Sequence, residues 1–150
     1  MRSCWAALGD VITHWQPIRV PTNGNTDILD VTAQVRDVVA GSGVRTGQVT
    51  AMVIGSTAAL TTIEYEPGLV NHGIAAALEK IAPADGRYLH EETWHDDNGH
   101  SHVRASLIGP SLALPVIEGR IPLGTWQQIV LIDFDTRPRE REIAVTVVGE

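Results

Sequence analysis

The chain has one cysteine, Cys4, and one lysine, Lys80, in 150 residues. A lone cysteine excludes an intrachain disulfide and every CxxC redox or zinc motif, and it suits a reducing, cytoplasmic setting. A lone lysine leaves Schiff-base or P-loop chemistry a single residue to pass through, and no GxxxxGK[ST] surrounds it. No stretch approaches about 18 consecutive apolar residues, so no membrane span is expected. The apolar run within Met1–Asp10 is too short for a signal peptide. Positive charge is also scarce: 11 Lys and Arg stand against 18 Asp and Glu, a net charge of −7. That leaves no basic footprint for nucleic acid or anionic lipid.

What the chain does have is ordinary globular material. Hydrophobic residues make up 43% and charged residues 19%, which excludes a disordered chain. The length suits one domain over residues 1–150, long enough to bury a core without staples.

β-branched residues mark Val11–Trp15 and Pro17–Val20 as strands, followed by a turn over Pro21–Thr26. A short helix begins at Asp30 or Thr32, with Val31, Val35, Val38 and Val39 on its apolar face and Gly41-Ser42-Gly43 as its stop. Gln48–Ile54 and Leu60–Tyr65 are extended, separated by a Gly55-Ser56-Thr57 turn. Pro67 opens a second helix, whose buried face is Leu69, Val70, Ile74, Ala77, Leu78 and Ile81, and Pro83 ends it. Asp85–Ser101 is polar throughout and reads as the least structured segment. A short helix over Val103–Ile108 precedes three strands, Leu112–Ile117, Thr125–Phe134 and Glu142–Val148. The expected fold class is α+β: a sandwich of mostly antiparallel sheets with two or three helices outside.

Four of the six histidines, His90, His95, His100 and His102, fall within 13 residues. Even scatter would put roughly half a histidine there. Glu91, Glu92, Asp96, Asp97 and Asn98 share the window. Imidazole and carboxylate are natural ligands for zinc and similar divalent ions, although such a loop can equally be solvated surface. On an extended chain His100 and His102 would point the same way and share an ion. Gly55-Ser56-Thr57 could offer backbone N–H and hydroxyl groups to an anion, or be an ordinary tight turn. Glu64 and Glu66 flank Tyr65 and alternate onto one face. Trp126 opens an apolar strand, where tryptophan is usually core, and Gln127 beside it then needs a partner. Arg137, Arg139 and Arg141 suit phosphate or an edge strand. His14 has no companion and reads as structural.

Several short motifs recur together in a familiar order. They are Gly55-Ser56-Thr57-Ala58-Ala59-Leu60, Ile63-Glu64-Tyr65-Glu66-Pro67-Gly68-Leu69, Tyr88-Leu89-His90, Asp97-Asn98 and Ser101-His102, followed by Leu107-Ile108-Gly109, Pro115-Val116, Gly119-Arg120, Leu123-Gly124-Thr125-Trp126-Gln127 and Arg141. In these the chain resembles the YjbQ family, also called UPF0047 or secondary thiamine-phosphate synthases, over nearly its whole length. Its Gly-Ser-Thr turn and Thr-Ile-Glu-Tyr-Glu-Pro-Gly-Leu run look like an archaeal-type branch.

The resemblance implies a YjbQ-like sandwich that assembles as a homotrimer, with a histidine-rich site near the subunit interface. It implies a divalent metal (zinc, magnesium or manganese) held by His90 and His102, and a small phosphorylated or anionic ligand. Glu64, Asp97 and Arg141 would then take catalytic roles, and Ser56, Thr57, Asn98, Trp126 and Gln127 would bind substrate. Many members carry histidine where this chain has Gly55, so a three-histidine site does not carry over intact. His100 is the expected third ligand, with His95 and His72 as alternatives. The implied activity joins a pyrimidine pyrophosphate to a thiazole phosphate with loss of pyrophosphate. Metal-dependent hydrolysis, or non-catalytic metal or anion binding, would use the same residues.

Overall fold

In Ile129-Val130-Leu131-Ile132-Asp133-Phe134, alternate side chains enter two different cores, and this sets the layering of the whole molecule. The computed structural model describes residues 10–150, so Cys4 and most of the Met1–Asp10 segment lie outside the described residues. The elements run β1 (Ile12–Thr22), β2 (Asp27–Asp30), α1 (Thr32–Ser42), β3 (Thr46–Ile54), β4 (Ala58–Ile63), α2 (Ile74–Ile81), α3 (Leu89–Trp94), α4 (Gly99–Ile108), β5 (Ser111–Ile117), β6 (Gln128–Asp133) and β7 (Arg139–Gly149). One π-helical turn, Leu69–Gly73, leads into α2.

All strand pairs are antiparallel. One sheet has the order β1-β7-β3-β5 and the other β2-β6-β4. The first core lies between the sheets, where Val49, Ala51, Val53, Ile143, Val145 and Val147 meet Leu60, Ile129 and Leu131. The valines of α1 enter the same core, as their spacing predicts. The second core lies between β4, β6 and the helices: Ala59, Val130, Ile132 and Phe134 pack against Leu78 of α2 and Ala105 of α4. A sheet covered on both faces needs apolar residues at consecutive positions, which is why β6 shows no polar alternation.

Two glycines sit where strands β3 and β7 approach closely. A Cβ on Gly47 would collide with the Val148 carbonyl, and one on Gly149 with the Thr46 carbonyl. The helical layer is fastened by the buried Arg104 of α4. Its Nε donates to the Ala82 carbonyl at 2.9 Å and its Nη2 to Glu79 at 2.5 Å, closing off the end of α2.

The sandwich of antiparallel sheets is as expected, with four α-helices among the described residues where two or three were expected. The main correction falls on Asp85–Ser101. This polar stretch carries α3 and the first turn of α4, because Tyr88 and Glu91 form a reciprocal N-terminal cap and the Glu91 carboxylate also accepts from the Gly99 N–H. The two N-terminal strands are one continuous strand, β1. A short strand, β2, occupies Asp27–Asp30, between the expected turn and the first helix, where no element was expected. β6 starts at Gln128, so Thr125–Gln127 belongs to the preceding turn.

Leu131 is fully buried, whereas Leu107 on α4 is 57% exposed. In guanidinium denaturation Leu131→Ala is expected to cost about 2–5 kcal/mol. Leu107→Ala should stay within about 0.5 kcal/mol of the parent.

Candidate functional site

β4 and β6 carry the candidate residues at their two ends. At the end where Ala58 pairs with Asp133, a buried polar network crosses from one sheet to the other. Arg141, on inner strand β7, donates from Nε to Asp133 Oδ2 at 2.7 Å and from Nη2 to Oδ1 at 2.6 Å, a bidentate pair. Its Nη2 also donates to the Thr57 hydroxyl at 2.7 Å, which in turn donates to Asp135 Oδ2 at 3.1 Å. Thr22 of β1 donates to Asp133 at 2.5 Å, and Arg139 donates to Asp135 at 3.0 Å. Oδ1 of Asp135 is buried with no hydrogen-bond partner among the described residues. Gly55 borders this network with φ +137°, and a Cβ there would stand 2.9 Å from Arg141 Nη1. A side chain at position 55 would therefore have to displace the guanidinium.

The histidine pair belongs to the same end. Ser101 of α4 donates to the Phe134 carbonyl at 2.6 Å, and Thr136 donates to Asp97 at 2.8 Å. These bonds hold the start of α4 against the end of β6. His90 on α3 and His102 on α4 face each other with ring centroids 4.4 Å apart. His90 Nε2 lies 3.3 Å from Asp96 Oδ1, and both atoms are buried with no partner in good hydrogen-bond geometry. The side-chain oxygen of Asn98 is likewise buried and unpartnered. The Ser106 hydroxyl donates to the His102 carbonyl, and Ser106 shares a groove with Gly55 and Ser56.

His100 does not join the pair. Residues 100 and 102 lie on a helix, where two positions differ by about 200°, so the expectation of a shared direction on an extended chain fails. His100 turns inward, 5% exposed, with its ring 6.2 Å from that of Tyr88 and its Nδ1 unpartnered. Burial, reinforced by the nearby Arg104 charge, pushes its pKa down. His95 ends α3 with φ +57°, and His72 lies on the π-helical turn; both are exposed.

Glu64, Trp126 and Gln127 stand at the opposite end of β4 and β6. Seven residues of extended chain separate Thr57 from Glu64, roughly 20 Å. There the three side chains line one shallow groove with Thr62 and Gly124. Trp126 is 71% exposed and is not core as its setting in an apolar strand suggested, because the strand starts two residues later. Gln127 finds its partners in the Thr62 hydroxyl at 3.0 Å and the Gly124 N–H at 3.1 Å. Glu66 does not share a face with Glu64: its carboxylate accepts from the N–H groups of Gly68 and Leu69 and starts the helical turn there.

The residues matched by a known family are nearly the whole described chain: the family described as UPF0047 protein YjbQ-like matches residues 16–150. The chain belongs to the YjbQ (UPF0047) family. A UPF0047 protein of Methanothermobacter thermautotrophicus is 38% identical over 141 residues, 94% of either chain. One from Synechocystis is 32% identical, covering 91% of this chain and 92% of its own. Among solved structures, a YbjQ-like protein of unknown function from Sulfolobus solfataricus superposes with a TM-score of 0.88 at 33% identity, over 94% of this chain and all of that one. A hypothetical protein from Aeropyrum pernix gives 0.83 at 32% identity, over 91% and 98%. The sandwich is thus the YjbQ fold.

In this YjbQ-family chain, sequence reasoning missed Asp133 and Asp135 as site residues, and placed Asp96 only within the polar histidine window. A signal existed: Asp133 and Asp135 interrupt an apolar run at the same two-residue spacing as Arg139 and Arg141. On an extended chain that aims charges of opposite sign at one face. Arg141 itself sits on an inner strand, not an edge.

Two measurements test the network. Asp133→Ala leaves the buried Arg141 without its bidentate partner and should cost about 3–5 kcal/mol in denaturant unfolding. For Asp135, burial pushes the carboxyl up, but hydrogen bonds from Arg139 and Thr57 outweigh it, so its pKa lies below the ordinary 3.8. A depressed folded pKa contributes stability that is complete above the ordinary value and is lost as pH falls through the folded one. The stability difference between the parent and Asp135→Asn should therefore shrink on acidification from about pH 5 to pH 2. A constant difference would contradict this account.

Proposed function

We propose that this YjbQ-family chain is an enzyme acting on a small phosphorylated or anionic substrate with a divalent ion held by His90 and His102. Thiamine-phosphate synthase-like transfer is the specific reaction that the family resemblance suggests. One observation carries the reading: His90 Nε2 and Asp96 Oδ1 are buried, lack hydrogen-bond partners and lie 3.3 Å apart, with the His102 ring facing His90. Buried polar atoms left unpaired are costly, and a cation between them would remove the cost.

Two imidazoles with a carboxylate beside them suit zinc, manganese or magnesium in decreasing order of nitrogen preference. Among the described residues no three His, Cys, Asp or Glu side chains are grouped to hold an ion by themselves. An ion at the pair would therefore need further ligands from water or substrate. When bound, the ion would supply charge neutralisation at a departing pyrophosphate. The hydroxyl of Thr57 and the Nε and Nη2 of Arg141 are engaged with Asp133 and Asp135. Contacts to phosphate oxygens then fall to Ser56, Asn98 and Arg141 Nη1. Asp97, exposed and accepting from the Thr136 hydroxyl, would accept a proton from a substrate group.

Glu64, Trp126 and Gln127 would reach such a substrate only from another copy of the chain. If two patches at opposite ends of one sheet met between copies, the contact would be head-to-tail, which closes into a ring when the rotation allows. A homotrimer with shared sites fits that geometry. In it Trp126 would stack on an aromatic ring of the substrate and Glu64 would orient it. The short ligand set also favours a second reading, a non-catalytic trimer that binds a metal or an anion.

Elemental mass spectrometry of the untagged protein should find up to about one divalent ion per subunit. His90→Ala and His102→Ala should each lose it, and His14→Ala should keep it. Full occupancy in both cluster variants would remove the assignment. Product analysis with a pyrimidine pyrophosphate, with and without thiazole phosphate, separates transfer, which needs both, from hydrolysis, which needs one. Metal binding without turnover on either would leave the binding reading in its place. A monomer by light scattering would remove the shared site.

A further inference from the structure

Six of the described arginines, Arg19, Arg87, Arg104, Arg137, Arg139 and Arg141, have a carboxylate within 4.0 Å. Among the described residues Arg36, Arg45 and Arg120 have none, although the chain carries seven more acidic than basic residues. Arg36 and Arg120 line the same cavity, about 340 Å³, between α1 and the connection from β5 to β6, and Arg45 lies outside it. Its floor is apolar: Val39 and Ile121 are 1% and 5% exposed, with Ala40 beside them. Asp37 also lines it, exposed and farther than 4.0 Å from either guanidinium.

Both arginines are mounted on rigid backbone. Arg36 lies in the middle of α1, whose valines are locked in the core. Arg120 closes a two-residue turn. Glu118 and Gly119 have φ +53° and +76°, and Ile117 and Arg120 exchange backbone hydrogen bonds of 2.8 and 3.0 Å. Two positive φ values in sequence are the geometry of a type I′ turn. The Gly119 N–H is further tied to the Arg45 carbonyl at 2.9 Å. With the backbone fixed, only the side-chain rotamers remain to be ordered on binding.

Two unpaired guanidiniums over an apolar floor match one kind of ligand. We propose that this cavity is a binding site for a small organic anion, a carboxylate or phosphate monoester on an apolar body. Arg36 and Arg120 take the head group and Val39, Ala40 and Ile121 take the body. The volume lies in the range of small-molecule sites. Thr46, which pairs with Ile117, and Ile54 are at opposite ends of β3, so the cavity lies roughly 25–30 Å from Gly55 and the histidine end. It is a second site, independent of any metal at His90 and His102.

Amide NMR titration tests it, with phenyl phosphate, benzoate, inorganic phosphate and benzyl alcohol as probes. Phenyl phosphate or benzoate should shift the amides of Arg36–Ala40 and Gly119–Ile121 saturably, and more tightly than inorganic phosphate; which of the two binds identifies the head group. Benzyl alcohol should not saturate. The double variant R36Q/R120Q should bind at least about tenfold more weakly. R45Q, which removes an arginine outside the lining, should bind as the parent does. Arg36 and Arg120 are exposed, so the double variant is expected to fold, and its amide dispersion reports that directly; R36K/R120K, which keeps the charge but not the planar fork, is the reserve variant and should weaken binding too. Absence of saturable shifts with both aryl anions, binding unchanged in the double variant, or inorganic phosphate binding as tightly as phenyl phosphate would overturn the proposal.

Discussion

The guanidinium of Arg141 reaches from an inner strand of the four-stranded sheet to Asp133 at the end of the three-stranded one. Thr57 from the β3–β4 turn and Thr22 from β1 join the same two side chains, so four separate segments converge on one ion pair. A buried pair of this kind adds little net stability, because desolvation of both charges offsets most of the attraction. Its effect is on specificity. An apolar sandwich of valines and isoleucines could slide in register or rotate at small cost. A guanidinium and a carboxylate that must meet through two parallel hydrogen bonds tolerate neither. The same bonds stop Thr57 and three of the Arg141 donor directions from serving a ligand freely, so the network positions the turn at Gly55-Ser56 more than it forms a binding surface.

The location of that pair also organises the surroundings of the histidines. Asp133, Phe134 and Asp135 end β6, and the start of α4 is bonded to them through Ser101 to Phe134 and Asp97 to Thr136. Glu91 then joins the first turn of α3 to the start of α4 through the Gly99 N–H. His90 and His102 face each other because those attachments bring two short helices together. Neither helix is long enough to be stable on its own. The imidazole pair is therefore a property of the sheet end beneath it.

Much of the fold could be read directly from residue patterns. The i, i+4, i+7 and i+8 valines of α1 predict a helix in the core, and the antiparallel strands follow from β-branched runs separated by glycine. The polar stretch 85–101 misleads because its helices are set by capping and by contacts to β6, with no apolar periodicity to reveal them. Trp126 misleads for a related reason: an apolar run does not say at which residue the strand begins, and two residues are enough to move a side chain from core to surface. The histidine cluster is visible as composition, yet only the helical geometry separates His100, facing inward, from His102, facing His90.

Composition and periodicity determined by themselves that this chain forms an α+β sandwich with a valine-rich core, and the order of its short motifs identified the YjbQ family. Those are local or additive properties, since burial preference and backbone preference act residue by residue. Which polar residues meet was decided by tertiary structure alone. Asp133 and Arg141 are eight residues apart and joined bidentately, while Glu64 and Asp97 belong to one motif set and lie at opposite ends of a sheet. Contacts between charged side chains depend on strand order, register and the direction of each pleat, and no single segment of sequence contains that information.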